Sequence, residues 1–223
     1  RLDLAPKLPA LVPPERSVEV DERLDADGRI LKPLADADAD AAIGEVERSG
    51  AEAVAVSLIH AYANPAHEEA LGERLRRRFP YVALSNRVNP EAREYERTAT
   101  TVLSASVMPL AAGYLDALTR RVPASTRIHL FHSTGGMASP EALRDLPLSL
   151  AMSGPAAGVA AAARIVRELE LDHVISFDMG GTTTDVCLIA DGRPEIATDR
   201  ALAGRPLRQP MVAVESIGAG GGS

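Results

Sequence analysis

Residues 174–189 constrain the fold more than any other stretch. An apolar run at 174–177 ends in Asp178. Met179 and the pair Gly180-Gly181 follow, then Thr182, Thr183, Thr184 and Asp185, and then a second apolar run at 186–189. Two short apolar or β-branched runs around a glycine pair predict two strands joined by a tight turn. Without a Cβ, the glycines allow unusual torsions and close approach of the backbone to a ligand. Successive N–H groups in such a turn form a concavity suited to phosphate oxygens, and the threonine hydroxyls add donors. Asp178, at the strand end, is placed to hold the divalent cation that accompanies a nucleotide. The plainer alternative is a hairpin whose glycines only let the chain turn.

A length of 223 residues suits one large domain or two small ones. Aromatic residues make up 3% and Trp is absent, so Ala, Val and Leu must build the core. A formal charge of −7 argues against non-specific nucleic-acid binding, which needs a basic face. The lone cysteine, Cys187, lies inside an apolar strand and reads as a small buried hydrophobe. It excludes an intrachain disulfide and suits a reducing, cytoplasmic setting. No apolar run reads as long enough to span a bilayer, and no signal peptide is visible. The chain begins without Met and stops at Gly-Gly-Gly-Ser, so it is expected to be an internal piece of something longer.

Residues 1–17, rich in proline, are expected to be extended coil. Runs at 17–24 and 29–34 flank Asp27-Gly28, a hairpin dipeptide. Residues 36–48 carry acids first and end before Gly50, as a short helix does. The Asp cluster there reads as a solvated face, since it lacks the glycine turn and closing Glu of a calcium loop. A continuous apolar run at 53–59 predicts a buried parallel strand. Asn64-Pro65 opens a helix whose arginines, Arg74, Arg76, Arg77 and Arg78, read as solvated. A strand at 82–84 completes a crossover unit. Residues 91–118 are helical in pattern, with Pro109 expected to kink or interrupt them. A strand at 127–131, a capped helix from Ser139-Pro140 and an alanine-rich helix from Ser153 follow. That last helix start is a second candidate anion site or merely a capped packing helix. After the hairpin, Asp191-Gly192 predicts a third strand at 195–198, then a loop at 206–210 and a last strand at 212–214.

His60 and His67 fall at a strand end and in the next helix's first turn. Ligands of parallel α/β sheets gather at the carboxyl ends of strands. The two imidazoles are candidates for metal ligands, substrate contacts or structural roles; a second divalent metal would need a third ligand that the sequence does not identify.

The Asp-x-Gly-Gly-Thr-x-Thr-Asp string resembles the phosphate loop of the actin, Hsp70 and sugar-kinase superfamily. Its closest resemblance is to the hydantoinase A and 5-oxoprolinase family, related to acetone carboxylase-type subunits. Further blocks resemble that family in the same order: VDERLDADG from Val20, SLIHAYANPAHE from Ser57, EYERTATT from Glu94, SGPAAGV from Ser153 and GAGGGS from Gly218. The segment from His132 to Gly136 departs from the pattern, with His and Thr where the family carries Gln-Ser-Asn.

The resemblance implies an α/β fold with an actin-like (ribonuclease H-like) core, of which this chain holds pieces of two lobes. Residues 18–90 would be the back half of the N-terminal lobe. Residues 91–223 would be the hydantoinase A-type region, with a bridging helix and the start of the second ATP-binding lobe. It also implies ATP and Mg²⁺ as cofactors and a small cyclic amide as substrate. Carbonyl phosphorylation by ATP would activate the ring for attack by water. Asp178 would be the catalytic and Mg²⁺-holding residue. Gly180, Gly181, Thr182, Thr183, Thr184 and Asp185 would form the phosphate cradle, with Asp185 alternatively bracing the turn. A second subunit and an oligomer are expected of the full-length protein, and poor ATP hydrolysis of the piece alone. An acetone carboxylase-type ATPase subunit is the rival reading. A non-catalytic Hsp70-like nucleotide module is the rival from another class.

Overall fold

The computed structural model describes residues 8–202 and 204–222. It is a mixed α/β structure in two compact units. One comprises residues up to Pro109 with Ala201–Arg208, the other Leu110–Arg200 with residues from Gln209 on.

In the first unit, most of the expected N-terminal coil either lies outside the described residues or is irregular, with one 3-10 turn at Pro14–Arg16. Strands β1 (Arg23–Leu24) and β2 (Ile30–Lys32) pair antiparallel around the Asp27-Gly28 turn. Asp25 holds that turn, its carboxylate accepting from the N–H groups of Asp27 at 3.0 Å and Arg29 at 2.8 Å. Helix α1 (Asp36–Arg48) follows. Strand β3 (Ala53–Val56), helix α2 (Ala66–Leu75) and strand β4 (Tyr81–Leu84) form the crossover, with β3 and β4 parallel in the register Val54↔Val82. Leu71 and Leu75 of α2, Ile43 of α1 and Val54, Val56, Val82 and Leu84 of the strands share one core with Phe79.

The acidic run and the arginines are not simply solvated. Arg74 pairs with Asp36 and, at 3.0 Å, with Asp40, and Arg78 reaches Glu47 at 3.3 Å. The charged edges of α1 and α2 thus face each other, although such exposed pairs contribute little.

After the short α3 (Ser85–Val88), helix α4 (Glu94–Arg120) runs unbroken for 27 residues with Pro109 inside it, so the expected interruption does not occur. The two units divide at that proline. By length and composition α4 is apolar enough to cross a membrane, which the sequence reading overlooked. In this fold its Ala105 and Met108 pack on Ala83 of β4, and it buries Arg97, Thr100, Thr101 and Ser104.

In the second unit, β5 (Leu130–Phe131) and β6 (Met137–Ala138) form a hairpin, then α5 (Pro140–Asp145) is capped by Ser139 Oγ. Helix α6 (Ser153–Glu168) precedes the long hairpin of β7 (His173–Met179) and β8 (Thr184–Ala190). Ala156, Val159, Ala163 and Val166 of α6 pack on Cys187 and Ile189 of β8.

The expected third strand at 195–198 is shorter, β10 (Ile196–Ala197), and pairs with β13 (Met211–Val212) instead of extending the hairpin; β9 (Arg193–Pro194), just before it, pairs with β8. Part of the expected loop after it is strand: β11 (Arg200–Leu202) pairs with β12 (Arg205–Leu207). The other edge of β8 is taken by β14 (Glu215–Ile217), so the sheet order is β14-β8-β7.

Two glycine substitutions should act in opposite directions. A Cβ at Gly72 would stand 2.8 Å from Leu84 Cδ1, against a buried side chain. Gly72→Ala should therefore lower stability by about 1–3 kcal/mol of overpacking, less about 1 kcal/mol of helix propensity. Gly113→Ala, in α4 with open space around it, should raise stability by up to about 1 kcal/mol. Urea unfolding of both variants checks the signs.

Burial of Glu68 pushes its carboxyl above the ordinary glutamate range, against hydrogen bonds from Ser85, Asn86 and Leu58 and the charge of Arg97. An acid with a raised native pKa holds its proton longer folded than unfolded. Its contribution to stability therefore falls as pH rises from the ordinary glutamate value to the raised one. The stability gap between Glu68→Gln and the parent should shift toward the variant across that window. A gap independent of pH, measured by urea melts, would contradict this.

Candidate phosphate-binding site

Strand pairing brings Asp178 directly opposite Asp185, and Met179 opposite Thr184. Gly180, Gly181, Thr182 and Thr183 form the exposed turn between them. Asp178 lies on the strand face turned to α6, together with Val174 and Ser176. Its Oδ2 stands 4.0 Å from where a Cβ on Gly158 of α6 would be. Ser216 Oγ donates to Asp185 Oδ1 at 2.5 Å, so Asp185 braces β14 as well as facing Asp178.

The turn is built differently from the sequence expectation. Neither Gly180 nor Gly181 has positive φ, so their use is not conformational. A Cβ on Gly181 would meet nothing within 4 Å, so the turn is open on that side. The N–H of Gly180 donates to Thr183 O at 2.8 Å and is not available to a ligand. The hydroxyl of Thr184 is buried and donates to Ala219 O at 2.6 Å, so it serves the fold. That leaves the N–H groups of Gly181 and Thr182 and the hydroxyls of Thr182 and Thr183, which donate to no group among the described residues.

The C-terminal glycines supply a part of the site that sequence reasoning missed. Gly221 N–H donates to Gly180 O and Gly222 N–H to Gly181 O, both at 2.9 Å. The tail lies so close that a Cβ at Gly220 would be 2.5 Å from Thr182 N. The signal was present as the run Gly220-Gly221-Gly222, but its partner lies nearly forty residues earlier in the chain.

Two cross-strand carboxylates repel unless a cation or hydrogen-bond donors stand between them. Asp178 and Asp185 are oxygen donors of the kind that could hold a hard divalent cation. Among the described residues no group of three or more His, Cys, Asp or Glu gathers to form an all-protein metal site.

The two histidines lie in the first unit. Leu34 N–H donates to His67 Nε2 at 3.4 Å, which leaves Nδ1 to donate to Glu22 at 2.6 Å. With both nitrogens engaged and the ring buried, His67 serves the packing of α2, and of the roles open to it the geometry fits the structural one. His60 is partly exposed, with Nδ1 at 3.2 Å from the Tyr62 hydroxyl and 4.0 Å from Glu94. The segment from His132 to Gly136 forms the β5–β6 turn, with Thr134 Oγ1 and His132 Nδ1 at 3.0 Å.

The hydantoinase/oxoprolinase profile matches residues 97–223, and the profile of the N-terminal region of the same family matches residues 3–79. The chain is 34% identical over 218 residues to the caprolactamase subunit alpha of Pseudomonas jessenii, covering 96% of this chain and 31% of that protein. It is 31% identical to the 5-oxoprolinase of Saccharomyces cerevisiae, covering 78% and 14%. The crystal structure of ATP-dependent caprolactamase from Pseudomonas jessenii superposes with a TM-score of 0.83 at 33% identity, over 99% of this chain and 33% of that one. Nucleotide-free acetone carboxylase, studied for ATP-dependent acetone carboxylation, gives 0.74 at 29% identity, over 95% and 31%. The chain thus spans about a third or less of the length of these relatives. The β7–β8 hairpin falls inside the larger matched segment, and the chain belongs to the hydantoinase/oxoprolinase family.

Proposed function

We propose that this chain is part of an ATP-dependent enzyme that opens a cyclic amide, with its two units belonging to two lobes of an actin-like ATPase core. The observation that carries the reading is the β7–β8 turn. It offers two unpaired N–H groups and two free hydroxyls beside the cross-strand pair Asp178 and Asp185. Family membership and the likeness to an ATP-dependent caprolactamase support it.

A lactam resists water because its amide is resonance-stabilised. Transfer of the γ-phosphoryl group to the carbonyl oxygen gives a better electrophile. One water then adds to that carbon and the C–N bond breaks, leaving the opened chain as an acyl phosphate; a second water cleaves it to the amino acid and phosphate, with ADP as the other product. The protein's task is to position groups and balance charge. In this reading Gly181 and Thr182 donate N–H groups to phosphate oxygens, and the Thr182 and Thr183 hydroxyls add two more donors. Asp178 would hold a magnesium ion, which would supply neutralisation of phosphate charge, and Asp185 would support it while bracing β14. The Gly220–Gly222 tail clamps the turn. A second reading, the ATP-hydrolysing subunit of a carboxylase, is favoured by the likeness to acetone carboxylase. Either assembly includes a partner subunit, as the relatives' names as subunits suggest, and a cytoplasmic setting suits the single buried cysteine.

The test is ATP turnover by the full-length protein with 5-oxoproline, hydantoin, caprolactam, or acetone plus bicarbonate in separate assays. Ring-opening with a lactam or imide supports the amidase; turnover confined to acetone with bicarbonate supports the second reading. Asp178→Asn should cut kcat by about 100-fold or more with the fold intact by circular dichroism. Undiminished turnover removes Asp178 from the site. Gly220→Ala forces the tail off the turn and should raise KM for ATP about ten-fold while leaving the melting curve nearly unchanged. An unaltered KM would show that the tail does not shape the cradle.

A further inference from the structure

Among its described residues, the first unit buries a positive charge that no carboxylate meets by contact. Arg97 of α4 is 1% exposed. Its Nη2 donates to Leu58 O at 2.6 Å, and its guanidinium carbon lies 5.4 Å from the centroid of the Tyr62 ring. Nε and Nη1 have no acceptor among the described residues. A buried guanidinium with unused donors is costly unless an anion meets it.

Glu68, whose charge acts on Arg97, is already committed. It is 0% exposed, and its oxygens accept from Leu58 N–H at 2.7 Å, Ser85 Oγ at 2.6 Å and Asn86 N–H at 2.9 Å. Burial also favours its protonated form. A second buried donor without a partner, Asn89 Nδ2, lies beyond the end of β4.

The location points the same way. Leu58, His60 and Tyr62 follow the carboxyl end of β3, the edge where parallel sheets bind ligands, and Asn89 ends α3, the helix that follows β4. The backbone there is strained. His60 has φ of 58° and Arg93, one turn before Arg97, has φ of 77°. Left-handed torsions at non-glycine residues cost energy and cluster at ligand sites. The His60 side chain is 25% exposed and stacks edge-on to Tyr62, so these two rings lie between Arg97 and the surface of the segment after β3.

We propose that the segment after β3 and the first turns of α4 form a binding site for a small oxyanion, a carboxylate, bicarbonate or phosphate group, anchored by Arg97 and walled by Tyr62 and His60. The site lies in the unit that does not carry the phosphate loop and does not rest on the nucleotide assignment.

The test uses the full chain without nucleotide. Sodium acetate, bicarbonate and inorganic phosphate are titrated in separate arms at constant ionic strength, with chloride as the reference. The readout is the Arg97 side-chain resonances and the Tyr62 ring resonances. A saturable shift of both groups is expected in at least one arm. Saturation by acetate alone identifies a carboxylate-bearing ligand, by bicarbonate alone inorganic carbon, and by phosphate a phosphoryl group. Arg97→Lys keeps the charge but loses the planar fork, and should weaken binding by about ten-fold or more. Arg97→Met should abolish it. Linear, chloride-like shifts in all three arms overturn the proposal, as does unchanged affinity in Arg97→Lys. If Arg97→Met fails to fold, the titration of the parent still decides.

Discussion

The strict two-residue alternation of the β7–β8 hairpin is the constraint on which the candidate site depends. Val174, Ser176 and Asp178 share one face of β7, opposite Ile189, Cys187 and Asp185 of β8. Cys187 and Ile189 are buried against the small residues of α6. Burying that set carries Asp178 to the first turns of α6, because its side chain must point the same way. A register slip of one residue would turn the aspartates to the face of Ile175 and Phe177, which are exposed here. The apolar packing and the position of the acid are thus one decision. The shallow side chains of α6 let the sheet come close, so the carboxylate ends near Gly158.

The first unit depends instead on buried polar groups. Glu68 ties the segment after β3 to the start of α3, after β4, through three accepted hydrogen bonds. His67, one residue earlier, ties the same helix to Glu22 and Leu34. Two adjacent residues of α2 therefore reach opposite neighbours. In low dielectric such bonds are strong when satisfied and costly when broken. The ends of the parallel strands are held rigidly enough there to keep His60 in a left-handed conformation.

Much of the architecture was legible because it is local. The crossover around α2 followed from a continuous apolar run, a capped helix and a second run. The β7–β8 hairpin followed from two apolar runs around a short polar turn. Other features were not legible because they depend on partners distant in sequence. The expected third strand does not extend the hairpin because Ile196 and Ala197 pair with Met211 and Val212. The Asp36 and Asp40 carboxylates looked solvated until α2 brought Arg74 alongside. Pro109 did not interrupt α4, since packing on β4 holds the turns before it.

The candidate site shows the same division. Its residue types and their order, Asp178, the glycine pair, the threonines and Asp185, were determined by the sequence alone, because a tight turn between two short strands needs no distant contact. Which of those groups remain available to a ligand was decided by tertiary structure. Gly180 spends its N–H inside the turn and Thr184 its hydroxyl on Ala219, leaving Gly181, Thr182 and Thr183. The glycine tail rests on the turn because only a residue without a Cβ fits against the Gly181–Thr182 peptide. A hydrogen bond has two ends, and the sequence names the donor long before folding supplies the acceptor.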